Sequence, residues 1–329
     1  MITLLKVKQY FKHSRLVTSL WDMFHKPQKE QYVSYGSENP DKTFYVIGKN
    51  NMIAGAWSLI NTVMMHIAYA LDHGYIPVVD MKNFTNQYVK PEEQGIVNFW
   101  EKFFLQPADY TLDDIKNSKN IILSSSALCP DPKFNTSDGS NIWEDQPKLT
   151  LFREIFSKYI RYNDYSRQYL ESETEKYLNG NSSVIGVLCR GTDYIVNRPT
   201  GHEVQPDPES VLADVKKEFE KGKNDAVFLA TEDQDILDIF LEEFGERLLF
   251  VEQNRFSKKD MKGDAWLCRV REKQHPEEDK DIAFLSYFTA TYILSKSKCL
   301  YTGRNNASKG LLYMPSNYDF IKIYNLGTY

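Results

Sequence analysis

Arg190, Gly191, Thr192 and Asp193 follow the apolar run Val184 to Leu188 with only Cys189 between. A buried strand that ends this way delivers an arginine to the open edge of a sheet, where α/β proteins bind their ligands. The planar guanidinium holds a phosphate through two parallel charge-assisted hydrogen bonds, and a glycine beside it lets a ligand or backbone come close. The competing reading is an ion pair between Arg190 and Asp193 that pins a loop. A second group is Thr231, Glu232, Asp233, Gln234 and Asp235. Acidic pairs spaced like Asp233 and Asp235 can hold a divalent ion against a diphosphate. However, Thr231 as an N-cap with acids in the first helical turn explains the same residues without a metal. The expectation is therefore a helix start with a ribose or base hydroxyl contact, and no metal.

A third group, Gly303, Asn305, Asn306 and Ser308, offers backbone N–H groups and short side chains where a last helix opens near Ser308, a ready anion site. Arg304 and Lys309 either add charge there or are solvated. Asp281 begins the preceding apolar helix, Ile282 to Ser295, where a carboxylate is also a natural cap. In the first half, Asn50, Asn51 and Gly55 lie in a loop that lacks the G-x-G-x-x-G dinucleotide fingerprint, so binding there is a weak signal. The aromatic stretch with Trp100, Glu101, Phe103, Phe104 and Trp143 suits either sugar stacking or core and lid packing.

These residues need elements to position them. Strand patterns at Thr43 to Ile47 and Ile76 to Asp80 flank a mostly apolar helix, Trp57 to Leu71, which is the mark of a buried parallel sheet. A further strand falls at Asn120 to Ser124. Leu149 to Leu178 reads as one long helical stretch, and the polar turn after it, Asn179 to Ser183, marks a domain boundary. The second half repeats the alternation. It has the strand at Val184, a Pro-rich loop with His202, a helix from Pro208 to Lys221 and the strand Ala226 to Ala230. A helix from Thr231 to Phe244 and strands at Leu248 to Val251 and Cys299 to Thr302 complete it. The fold class is α/β, with two Rossmann-like doubly wound domains facing a cleft, at 41–178 and 179–329, after a basic amphipathic segment at 1–40. The last helix is a candidate to pack back on the first domain.

The chain has 329 residues, 42% of them hydrophobic, enough for a sizeable core and two domains. Its net charge of −5 gives no basic field for nucleic acid. Cys129, Cys189, Cys268 and Cys299 lie far apart with no C-x-x-C pair, which points to reduced thiols and a cytoplasmic setting. No signal peptide and no membrane-length span is read from the pattern. Residues 1–29 carry six Lys or Arg against Asp22, interleaved with aromatics and leucines. This segment is either a peripheral contact with the inner face of a membrane or a helix packed on its own domain.

Three stretches, VIGVLCRGTDY with GHEVQP, VFLATEDQDILDIF, and DIAFLSYF through YTGRNNASKGLLYM, resemble in order and spacing the donor half of GDP-fucose-dependent fucosyltransferases. That superfamily includes the α1,6-, α1,2- and protein O-fucosyltransferases. The resemblance covers about residues 184–314 and implies a GT-B-like arrangement with inverting, metal-independent transfer of fucose to a glycan hydroxyl. The setting it implies is bacterial surface polysaccharide synthesis, with GDP-sugar as co-substrate and no cofactor. By the same resemblance Arg190 binds the β-phosphate, Asp193 is the motif acid and the acidic segment falls on Glu232 and Asp233, while Gly191 stands where some members have a second arginine; Gly191 and Thr231 are donor-site candidates from the residue pattern. Asp281 takes the guanine-binding position, and Asn305, Asn306 and Ser308 the phosphate run. Leu188 stands where the family has its motif histidine, which leaves His202 as a candidate substitute. Asn51, Gly55 and Glu101 are acceptor-side candidates. The alternatives are another GDP-sugar, a metal-dependent transferase, or a non-catalytic nucleotide-sugar binder.

Overall fold

A computed structural model describes residues 29–48, 50–124, 129–136, 142–261 and 266–329. The basic segment at 1–29 lies outside these residues except for Lys29. The first half holds β1 (Gln31–Val33), β2 (Phe44–Ile47), α1 (Ala56–Asp72), β3 (Ile76–Val79), the short α2 (Leu112–Ile115) and β4 (Ile121–Leu123). Its sheet runs β1-β4-β2-β3, with β2 parallel to both neighbours and β1 antiparallel to β4.

Next come α3 (Gln146–Tyr159) and α4 (Asp164–Leu178), where the sequence reads as a single helix. Tertiary contacts break it. Tyr162 bridges Phe104, Leu105 N–H donates to the Arg161 carbonyl, and the Asn163 side chain caps Ser166 while its amide reaches the Lys102 carbonyl at 2.9 Å.

The second sheet is built from β5 (Val184–Leu188), β6 (Ala226–Ala230), β7 (Leu248–Leu249), β8 (Cys299–Gly303) and β9 (Phe320–Tyr324), ordered β7-β6-β5-β8-β9 and wholly parallel. Between these strands run α5 (Thr192–Asn197), α6 (Pro208–Phe219), α7 (Gln234–Phe244), α8 (Leu267–Gln274), α9 (Lys280–Leu294) and α10 (Asn306–Tyr313). The pattern reading lacked α5, α8 and β9. Every residue of β5 and β6 is buried, as their unbroken apolar runs require. Val184 and Leu188 join the core under α9, whereas Ile185 and Val187 face the core shared with α6 and α7. At Gly186 a side chain would strike Ser297 and Leu294 of the covering segment.

Numbered along the chain from β5, the order is 3-2-1-4-5, so successive connections leave to opposite sides between β5 and β8. That gap is the switch point of a doubly wound sheet, and its carboxyl end forms a crevice. The largest apolar cluster draws on both halves of the chain. Trp57 of α1 lies fully buried between Phe156 and Phe288, donates to Thr291 Oγ1 at 3.1 Å and covers Gly310 so closely that a side chain there would collide with its ring.

Candidate functional site

Cys189 is fully buried, and the chain then turns sharply at the exit of β5. Gly191 permits the turn, because a Cβ there would run into the Asp233 carboxylate. Thr192 sits at φ 47°, a left-handed conformation costly for a β-branched residue. It is held there because its N–H donates to Asp233 Oδ2 at 2.9 Å and its hydroxyl to Glu232 Oε1 at 3.1 Å. The turn starts α5 and sets Arg190 between two acids. Its Nη2 is 3.3 Å from Asp193 Oδ1 and its Nε 4.0 Å from Glu232 Oε1, while the guanidinium lies 3.9 Å from the centre of the Tyr194 ring. A quarter of the Arg190 side chain remains exposed.

Burial works against the charge of Arg190, but Tyr194, Asp193 and Glu232 outweigh it and hold the guanidinium above its ordinary pKa. Asp193 is nearly inaccessible, and its other oxygen accepts from Leu267 N–H at 3.1 Å. Its geometry suits orienting Arg190. Burial pushes the Glu232 carboxyl up, with Arg190 pulling it back, and burial also raises Asp233. A folded-state pKa above the unfolded value means that ionised Glu232 weakens the fold at neutral pH, and that this cost fades as pH falls toward the ordinary carboxylate range. Glu232→Gln is therefore expected to raise Tm at pH 7.5 and to lose that advantage near pH 4.5, as thermal melts across pH would show.

The α7 cap differs from expectation. Asp233, with Oδ1 accepting from Asp235 and Ile236 N–H, is the N-cap of a helix that starts at Gln234, and Thr231 only accepts from Asp233 N–H. Two potential capping residues stand two apart, and the contact of Asp233 with Thr192 decides between them.

At the exit of β8, Leu188 pairs with Thr302, so Arg190 and Arg304 leave adjacent strands at the same end. α10 begins at Asn306, two residues before the expected start. Asn305 Oδ1 accepts from Ser308 N–H at 3.0 Å and Ser308 Oγ accepts from Asn305 N–H at 2.9 Å, a reciprocal capping box. The N–H groups of Asn306 and Ala307 have no acceptor within the helix and, with the helix dipole, form its anion-attracting end. Asn306 accepts through its carbonyl and side-chain oxygens from Asn61 of α1. Lys309 is fully buried, donating to the Thr136 carbonyl at 2.7 Å, and Arg304 lies 3.1 Å from Glu144. Neither is a solvated cation.

Other candidates lie elsewhere. Asp281 ion-pairs with Lys90 at 2.9 Å and Lys102 at 2.6 Å, and the cap of α9 is Asp279. Asn51 Oδ1 accepts from Ile53 and Ala54 N–H, Gly55 precedes α1 with open space around it, and Glu101 accepts from Gln106. Among the described residues, no hydrogen bond or ion pair joins Asn51, Gly55, Glu101 or Asp281 to the Arg190 group. His202 does approach it. Its Nδ1 is 3.0 Å from the Tyr194 hydroxyl.

Sequence reasoning missed three features. Tyr194 is four residues after Arg190, a spacing that signals a stack only once α5 is known. Tyr287 on α9 has its phenol raised by burial and pulled back by Arg190. An open cavity of about 330 Å³ is lined by Gln253, Asn254, Arg271, Glu278, Ile282 and Ser286, among others. It adjoins the end of β6, since Gln253 Nε2 donates to the Thr231 carbonyl at 2.8 Å.

The strand order and its two charged exits define a class: a doubly wound sheet with an anion-ready crevice at its switch point. No protein-family model matches the sequence, and no curated protein does. Solved structures similar to this chain include the fucosyltransferase NodZ from Bradyrhizobium, at 16% identity over 84% of this chain and 94% of that one, with a TM-score of 0.46. A point mutant of Arabidopsis thaliana FUT1 in complex with GDP is 10% identical over 96% and 77%, with a TM-score of 0.47. POFUT1 in its apo form is 11% identical over 86% and 99%, with a TM-score of 0.44.

Proposed function

We propose that this chain is a glycosyltransferase that moves fucose from GDP-fucose to a hydroxyl of a glycan acceptor, with inversion and without a metal. The single observation that carries the reading is that Arg190 and the first turn of α10 follow adjacent strands, β5 and β8, at the same end of the switch point. A diphosphate in that crevice takes the guanidinium on one side and the helix N–H groups on the other. Glu232, at the end of the neighbouring strand, is placed for a ribose hydroxyl. The cavity beyond it, toward β7, offers amide, carboxylate and guanidinium groups to a base. Asp281, held by two lysines, belongs to the helix whose Ile282 and Ser286 line that cavity.

As the bond between sugar and phosphate breaks, negative charge grows on the leaving diphosphate. Arg190 then stabilises the transition state more than the ground state. Asp193 orients Arg190. The acceptor's base is proposed among Asp193, Glu203 and the first-half carboxylates, of which Glu101 itself is engaged by Gln106 away from the Arg190 group. We place the work in surface polysaccharide synthesis, on the cytoplasmic side, with residues 1–29 as a membrane contact.

Thermal-shift measurements against GDP, UDP and CMP test the nucleotide. GDP alone is expected to raise Tm, by the equivalent of about 2.7 kcal/mol at a hundredfold excess over Kd. No shift with GDP, or equal shifts with all three, would sink the reading. Leu188, buried where the family resemblance has a histidine, keeps a second reading in view, a binder that does not turn over. GDP binding in calorimetry without GDP release from GDP-fucose across an acceptor panel would favour it. Chelator sensitivity would favour a metal-dependent transferase, and product from another GDP-sugar would reassign the donor.

A further inference from the structure

The two sides of the crevice come from distant parts of the chain, yet one segment touches both. Residues 199–206 begin after Arg198, whose φ of 42° ends α5, and turn back at Gly201, φ 82°. On one side, His202 Nδ1 lies 3.0 Å from the Tyr194 hydroxyl with the rings edge to face, and the Tyr194 ring carries the Arg190 guanidinium. On the other, Gln205 Nε2 donates to the Arg304 carbonyl at 2.9 Å, immediately before the cap of α10. Gly303 keeps that contact close, because a side chain there would meet Gln205 and Pro206.

The segment is itself fastened. Gly201 N–H donates to the Tyr329 carbonyl, Tyr329 N–H to the His202 carbonyl and Val204 N–H to the Gly327 carbonyl, with Glu203 and Thr328 paired between them. His202 also packs its ring near Trp266, and the Gln205 amide closes the loop onto the Glu203 carbonyl at 3.0 Å.

We propose that residues 199–206, locked by residues 327–329, are a brace that fixes Arg190 relative to the first turn of α10. Tyr194, His202 and Gln205 are positioning residues, and His202 acts through Tyr194 on Arg190. An anion held from two sides needs both sides at a set separation, and a misplacement of about 1 Å is enough to cost most of the gain from preorganisation. The brace supplies that separation. It accounts for a histidine in this loop without any contact between imidazole and ligand.

The inference rests on the diphosphate reading, and a double-mutant cycle on GDP affinity, measured by calorimetry, separates the two. His202→Ala is expected to weaken GDP binding about tenfold in the otherwise native chain and less than twofold in the Arg190→Ala background, because coupled residues are non-additive. Tyr194→Phe keeps the ring under the guanidinium and removes only the hydroxyl. It is expected to show the same coupling with a smaller loss, and it carries the test should His202→Ala fail to fold in thermal melts. Losses of equal size in both backgrounds, or affinities within twofold of the native chain for both variants, overturn the brace while leaving the GDP reading standing. A native chain that binds neither GDP nor inorganic pyrophosphate overturns both.

Discussion

Arg190→Ala is expected to cut fucosyl transfer from GDP-fucose by about 10²–10³-fold, the usual cost of removing one well-placed donor from a developing negative charge. The guanidinium is held by Asp193 and Glu232 and stacked on Tyr194, so in the proposed reaction it would be oriented before the diphosphate departs and lose little in reorganising. Arg190→Lys is expected to recover little, since an ammonium has neither the planar fork nor the stacking face. Both variants should still fold, because Asp193 Oδ2 keeps its bond from Leu267 N–H and the Thr192 hydroxyl lies within reach of Oδ1 once the guanidinium is gone. Initial rates of GDP release at saturating donor, set beside circular dichroism melts, provide the check. An alanine variant with more than a tenth of the native rate would remove Arg190 from the chemistry.

The largest effect on stability is expected at Trp57. Truncating a fully buried tryptophan to alanine costs about 3–5 kcal/mol, through lost burial and the cavity left behind. Here the cavity would open among α1, α3, α9 and α10, since the ring packs on Phe156 and Phe288 and covers Gly310. Urea denaturation followed by fluorescence and circular dichroism would measure the loss. Thr291→Val, which removes the acceptor of the indole N–H together with the hydroxyl's own bond to the Phe288 carbonyl, should cost about 1–3 kcal/mol. A Trp57→Ala loss below 1 kcal/mol would mean that the two halves do not depend on one another's packing.

The amino-acid pattern carried the second sheet well because buried parallel strands are unbroken apolar runs, and Val184–Leu188 and Ala226–Ala230 stand out for that reason. Arg190 was legible as the first charged residue after such a run. The contacts that orient it were not. α5 depends on a left-handed Thr192, which nothing in the local sequence favours, and the hold of 327–329 on the His202 loop uses backbone groups that any residue supplies. Asp281 was legible as an acid at a helix start, but its pairing with Lys90 and Lys102 joins it to residues 191 and 179 positions earlier. The break between α3 and α4 shows tertiary contacts overriding helical propensity. Lys309 shows the same of charge: its Nζ is drawn inside by the Thr136 carbonyl, although the residue type alone points outward.

Asn61 reaches from α1 to grip the first residue of α10. On the proposed reading, a molecule that tilts α1 is expected to drag the leading turn of α10 and to shift the hold on a nucleotide with it. By reciprocity, a nucleotide seated there would bias how α1 lies. In a two-substrate reaction of the proposed kind, the order of arrival would then be open to control through the packing of α1 on α10, Asn61 and Trp57 included, with no moving lid required.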